Sequence, residues 1–153
     1  MAREPRTSRV RICSRQRAVR VPRKQIAALT AFAARAEGTA VADVDVAVVC
    51  SREIAGLNRR YLHHGGPTDV LSFDLSEGPR RGLSGQIVVC GDVAARQGPL
   101  HGQSVRRELL LYVLHGLLHL MGYEDRTVRG AVRMHAREEE ILDAFLRCHA
   151  HSR

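Results

Sequence analysis

The chain has 153 residues, 44% apolar and 26% charged, which suits one globular domain (residues 1–153) with a buried core and excludes an intrinsically disordered chain. No apolar run approaches the length of a membrane span, and the four cysteines lie far apart with no C-x-x-C pair. A membrane partner and a disulfide framework are therefore not expected, and a reducing cytoplasm is the simpler setting. The formal net charge of +8 is uneven: residues 1–24 hold eight arginines, Lys24 and one acid, Glu4, while the rest of the chain is balanced.

Residues 1–24 read as a basic strand segment, because Val10-Arg11-Ile12 and Val19-Arg20-Val21 alternate like exposed strands. The same alternation argues against an amphipathic targeting peptide. The planar forks of Arg15, Arg17, Arg20 and Arg23 suit phosphate, although a solvated face is the bland alternative. Pro22 then opens a helix through Ile26, Leu29, Phe32 and Ala33 that stops at Gly38. Val41 to Cys50 alternates and turns solidly apolar, as a central strand does. Ser51 can cap a short helix through Ile54 and Leu57, and His63 to Pro67 reads as loop. Val70 to Leu75 is a strand with Leu71, Phe73 and Leu75 on one face. A turn-rich stretch from Ser76 to Ser84 leads to a strand at Gln86–Cys90, and Gly98-Pro99 marks a loop. Ser104 is placed to cap an apolar helix from Val105 to Met121, ended by Gly122. The last helix carries Ala131, Met134, Glu138, Ile141, Leu142 and Phe145 along one stripe to about Arg147, with 148–153 as a frayed tail. This order predicts an α+β class, one mixed sheet packed by helices, with a metal site on the long apolar helix.

That site rests on the segment His115 to Asp125. Residues four apart share one helix face, so both His115 and His119 can reach one ion. Gly122 allows a sharp reversal, and Asp125 can swing back as a third ligand. Three protein ligands with a fourth position open is the pattern of catalytic zinc, expected here at one ion per chain. Two histidines in so apolar a helix would otherwise be costly. A zinc peptidase of the H-E-x-x-H type is disfavoured, since Gly116 stands where its general base belongs. Glu108 reads either as a group behind the ligands or as a surface ion pair, and the remaining histidines (His63, His64, His101, His135, His149 and His151) as solvent-exposed, with lining of the site the alternative for His63 or His64.

The helix HGLLHLMGYED resembles the H-G-x-L-H-L-x-G-Y-D-H motif of the YbeY-type rRNA maturation factors, which are metal-dependent endoribonucleases. Separately, Leu57-Asn58, Tyr61 and Pro67-Thr68-Asp69-Val70-Leu71-Ser72-Phe73 are similar to that family's L-N-x-x-Y…P-T-D-V-L-S-F. The resemblance runs from about Val10 to Phe145. It implies cleavage of single-stranded RNA, processing of the small-subunit rRNA 3′ end, ribosome quality control and association with ribosomal small-subunit components. Asp125 replaces the family's third histidine, and Leu62 replaces an arginine that usually follows the tyrosine. Arg59 or Arg60 is the candidate substitute cation, and the catalytic groups beyond the metal stay open. The rival expectation is a non-catalytic ribosome assembly factor braced by a structural metal.

Overall fold

Segments in which valine and isoleucine alternate or cluster form the sheet. The computed structural model describes residues 8–62, 68–78 and 81–149. Its elements are β1 (Arg9–Arg15), α1 (Arg23–Glu37), β2 (Val41–Val49), α2 (Ser51–Leu62), β3 (Val70–Asp74), β4 (Leu83–Cys90), α3 (Gly91–Leu100), α4 (Val105–Leu120) and α5 (Val128–Cys148). The strands make one mixed sheet in the order β1-β2-β4-β3. β1, β2 and β4 are parallel, and β3 is antiparallel to β4, with Val70 opposite Val89 and Asp74 opposite Gly85. The α+β expectation holds. No described helix is long and apolar enough to cross a membrane.

The inner strands β2 and β4 are covered on both faces, so they end in almost unbroken apolar runs. Val44, Val46, Val48, Ile87 and Val89 face the main core, shared with α1, α4 and α5. Ala47, Val49, Val88 and Cys90 face a smaller cluster that holds Ile54 of α2 and Leu71 of β3. A slip of one residue would exchange the two faces, so the register is strongly specified.

α4 is the central helix. Ten of its sixteen residues are buried, as expected for a helix apolar on nearly every side. The Ser104 side chain accepts from Arg107 N at its start. At Gly116 the helix presses on the sheet: a Cβ there would stand 2.7 Å from Ile87 Cγ2 and 3.4 Å from Val70 Cγ2. The glycine therefore sets how closely the two histidines approach β3 and β4.

Four sequence expectations need correction. Val19 to Val21 is not a strand: Gln16 accepts from Val19 N and donates to Val19 O, folding the segment into a turn before α1. Gly98-Pro99 lies in the last turn of α3, a helix the sequence did not announce. Packing overrides propensity here, because Ala94 is fully buried and Gly98 lies against Glu108 of α4. Ser51 begins α2, but what is seen there is its own N–H donating to Asp92 at 2.6 Å. His149 does not fray, because its ring stacks on Phe145 with centroids 4.2 Å apart. The His63–Pro67 loop, His151 and the end of the tail lie outside the described residues.

Candidate metal centre

One helix and the turn after it supply all three candidate ligands. His115 and His119 sit one turn apart on α4. The helix then closes with Gly122 N donating to His119 O and Tyr123 N to Leu118 O, the paired bonds of a Schellman ending. Gly122 has φ 103°, a value that side chains rarely adopt. The reversal brings Asp125 back over the histidines.

Both imidazoles are oriented from behind. His119 Nδ1 lies 3.0 Å from the Tyr123 carbonyl. A carbonyl can only accept, so Nδ1 carries the proton and Nε2 the lone pair. His115 Nδ1 is hydrogen-bonded to the carboxylate of Glu138, a buried residue of α5. The two Nε2 atoms then face each other at 3.1 Å, with Asp125 Oδ2 at 3.4 Å from one and 3.7 Å from the other. Three electron-rich atoms so close repel one another unless a cation or proton lies among them. A tetrahedral ion with bonds of about 2.1 Å has ligand–ligand edges of about 3.4 Å, so the donor set fits zinc-like coordination. Among the described residues, His115, His119 and Asp125 are the group that could hold a metal ion.

The electrostatics agree. Burial lowers the His115 pKa, but the hydrogen bond and charge of Glu138, with the charges of Asp69 and Asp125, raise it above its ordinary 6.5. The position is rich in negative charge and attracts cations. Tyr123, which supplies the orienting carbonyl, is fixed through its hydroxyl: it donates to Glu37, which Arg137 grips at 2.6 Å.

The donors lie in a cleft of about 510 Å³ between the start of β3, from Thr68, and the α4–α5 turn. The His115 and His119 side chains are each 28% exposed and Asp125 43%, so a molecule in the cleft can reach them. Glu124 lines the same cleft but is outside the donor group. Glu108 does not stand behind the ligands. It is buried, it pairs with the exposed His101 at 3.4 Å and with Tyr112, and it meets neither His115 nor His119.

Two residues at the site carry no local sequence signature of their role. Glu138, behind His115, lies in the apolar stripe of α5, where the carboxylate itself is the signal. Arg126 lines the cleft, and in the sequence it is one basic residue among many. Arg59 and Arg60 are exposed at the end of α2, and neither is among the described residues lining the cleft. Arg15, Arg17, Arg20 and Arg23 are exposed on and after β1, the sheet edge opposite β3. Arg15 pairs with Glu53 at 2.7 Å, and Arg23 donates to the Ile12 carbonyl at 2.6 Å.

Comparison with known proteins places the chain in a family. Residues 11–146 match the family described as Endoribonuclease YbeY. A protein of that name from Macrococcus caseolyticus is 40% identical over 131 residues, covering 79% of this chain and 84% of its own. One from Moorella thermoacetica is 43% identical over 121 residues, covering 72% and 78%. One from Salinibacter ruber is 38% identical over 118 residues, covering 72% and 75%. The solution structure of a Thermotoga maritima protein shares the fold, with a TM-score of 0.58 at 24% identity over 90% of this chain and 89% of that one. With a family match over residues 11–146 and relatives 40% and 43% identical over most of both chains, the chain belongs to the Endoribonuclease YbeY family.

Proposed function

We propose that this chain is a zinc-dependent endoribonuclease that cuts single-stranded RNA at His115, His119 and Asp125. Its place is in the cytoplasm, in maturation of the small-subunit rRNA 3′ end and in ribosome quality control, in contact with small-subunit components. The observation that carries the reading is the donor set itself: three lone-pair atoms 3.1–3.7 Å apart, in an open cleft.

A bound divalent ion would supply Lewis acidity toward a phosphodiester oxygen and lower the pKa of water. The protein's residues do the rest. Glu138 and the Tyr123 carbonyl keep both imidazoles in the tautomer that presents Nε2. Asp125 adds an anionic oxygen, which suits zinc and other divalent ions. The partial exposure of all three ligands supports catalysis over the rival of a non-catalytic assembly factor, whose bracing metal would be enclosed. Gly116 supports RNA over peptide as substrate, because a glutamate there would be driven into Ile87 rather than toward the donors.

Metal analysis coupled to an RNA cleavage assay tests the reading. About one ion per chain is expected, with chelator-sensitive cleavage of single strands and little action on duplex RNA. The His115→Ala, His119→Ala double variant should lose both metal and activity. A metal-replete wild type no more active than that variant would transfer the case to the assembly-factor rival.

A further inference from the structure

The cleft contains a cation that a metal centre alone does not call for. Arg126 directly follows Asp125 and lines the same cleft. A guanidinium beside a divalent ion weakens metal binding by Coulomb repulsion, unless an anion sits between them. Nor does Arg126 stand alone. From Arg126 to Arg137 the chain carries four arginines and no acidic residue. Arg137 is held by Glu37 and Glu140. Arg126, Arg129 and Arg133 are exposed and, among the described residues, have no hydrogen bond or ion pair. Arg129 and Arg133 lie one turn apart near the start of α5. The Arg133 guanidinium sits 5.4 Å from the ring centroid of Tyr123, and Tyr123 itself lines the cleft. Arg126, in the turn beside the donors, is therefore followed by two further unpaired cations one turn apart on α5.

We infer that Arg126, Arg129 and Arg133 form a phosphate track for single-stranded RNA, with Arg126 holding the phosphate beside the metal centre. The inference rests on the endoribonuclease reading above. It gives the unpaired arginines an anionic partner, and it makes the bound phosphate the group that reconciles Arg126 with a nearby divalent ion. Planar guanidinium groups suit that contact because each can present two N–H donors to one phosphate.

The test uses metal-replete protein and a fluorescein-labelled, unstructured oligoribonucleotide, followed by anisotropy over a salt series. The Arg126→Gln, Arg129→Gln, Arg133→Gln variant should bind roughly 10- to 100-fold more weakly at low salt. Its log–log salt slope should be shallower by about 2, three single-strand phosphate contacts being lost. Metal content and thermal midpoint should not change. Arg126→Gln alone should slow cleavage at saturating RNA and hold metal at least as tightly as wild type, and Arg126→Lys should recover part of the rate. A triple variant with wild-type affinity and slope overturns the track. Wild type that binds RNA with the expected slope but never cleaves it fails the endoribonuclease reading and leaves the track standing. Wild type that binds no RNA fails both.

Discussion

The Nδ1 partners of the two histidines matter as much as the ligands. A carbonyl behind His119 fixes its tautomer, whereas the carboxylate behind His115 also raises its basicity. Metal binding needs the neutral imidazole, and protons compete for His115 below its raised pKa. Affinity should therefore fall as pH drops through that value, starting above the ordinary 6.5. Glu138→Gln removes the charge, moves this loss to lower pH, and costs about 10- to 100-fold in metal affinity at neutral pH. Competitive chelator titration across pH measures both effects. Wild-type affinity and pH dependence in the variant would remove Glu138 from the site.

Among the elements, α4 carries the ligands and α5 braces them. Contact at Gly116 lets α4 settle on β4, and contact at Gly130 lets the first turn of α5 lie on the Glu124 carbonyl, beside Asp125. The Thr127 side chain accepts from Gly130 N at 3.0 Å and fixes that first turn. Gly116→Ala would press a methyl group into Ile87 and cost about 1–3 kcal/mol. A drop of several degrees in thermal midpoint should follow, with metal affinity reduced as the histidines move off β3. An unchanged midpoint would mean that the sheet yields at no cost and that the close contact does not position the site.

Across the whole molecule, positive charge is found at both edges of the sheet. The N-terminal arginines flank β1, while Arg126 lines the cleft beside β3 and Arg129 and Arg133 follow it on α5. We expect the N-terminal group to attract RNA at long range without touching the reacting phosphate. With Arg15 and Arg23 already engaged inside the protein, Arg17 and Arg20 are the freer pair. Changing all four to Gln should weaken unrelated RNAs alike and flatten the salt slope by about 1.4, the share of two phosphates. Metal content should be untouched, since exposed arginines add little to stability. A wild-type slope in the four-fold variant would reduce the segment to a solvated face.

Short-range order was legible in the sequence. His115, His119, Gly122 and Asp125 fall within eleven residues, and helical pitch with one glycine turn nearly dictates their convergence. The apolar runs of β2 and β4, and the caps at Ser104 and Gly38, are equally local. Other features depended on partners remote in sequence. Glu138 reaches His115 across 23 positions, and no local pattern separates a ligand-orienting carboxylate from one that interrupts an apolar stripe. α3 is helical through Pro99 because Gly98 packs on α4, a contact that backbone propensity does not encode. Arg126 was visible only as one more charge until the turn at Gly122 brought it into the cleft. Which residues could share an ion was readable from spacing alone, because it depends on one helix and one turn. What orients those residues, and which cations stand beside them, came from the packing of α5 against α4, which no local pattern encodes.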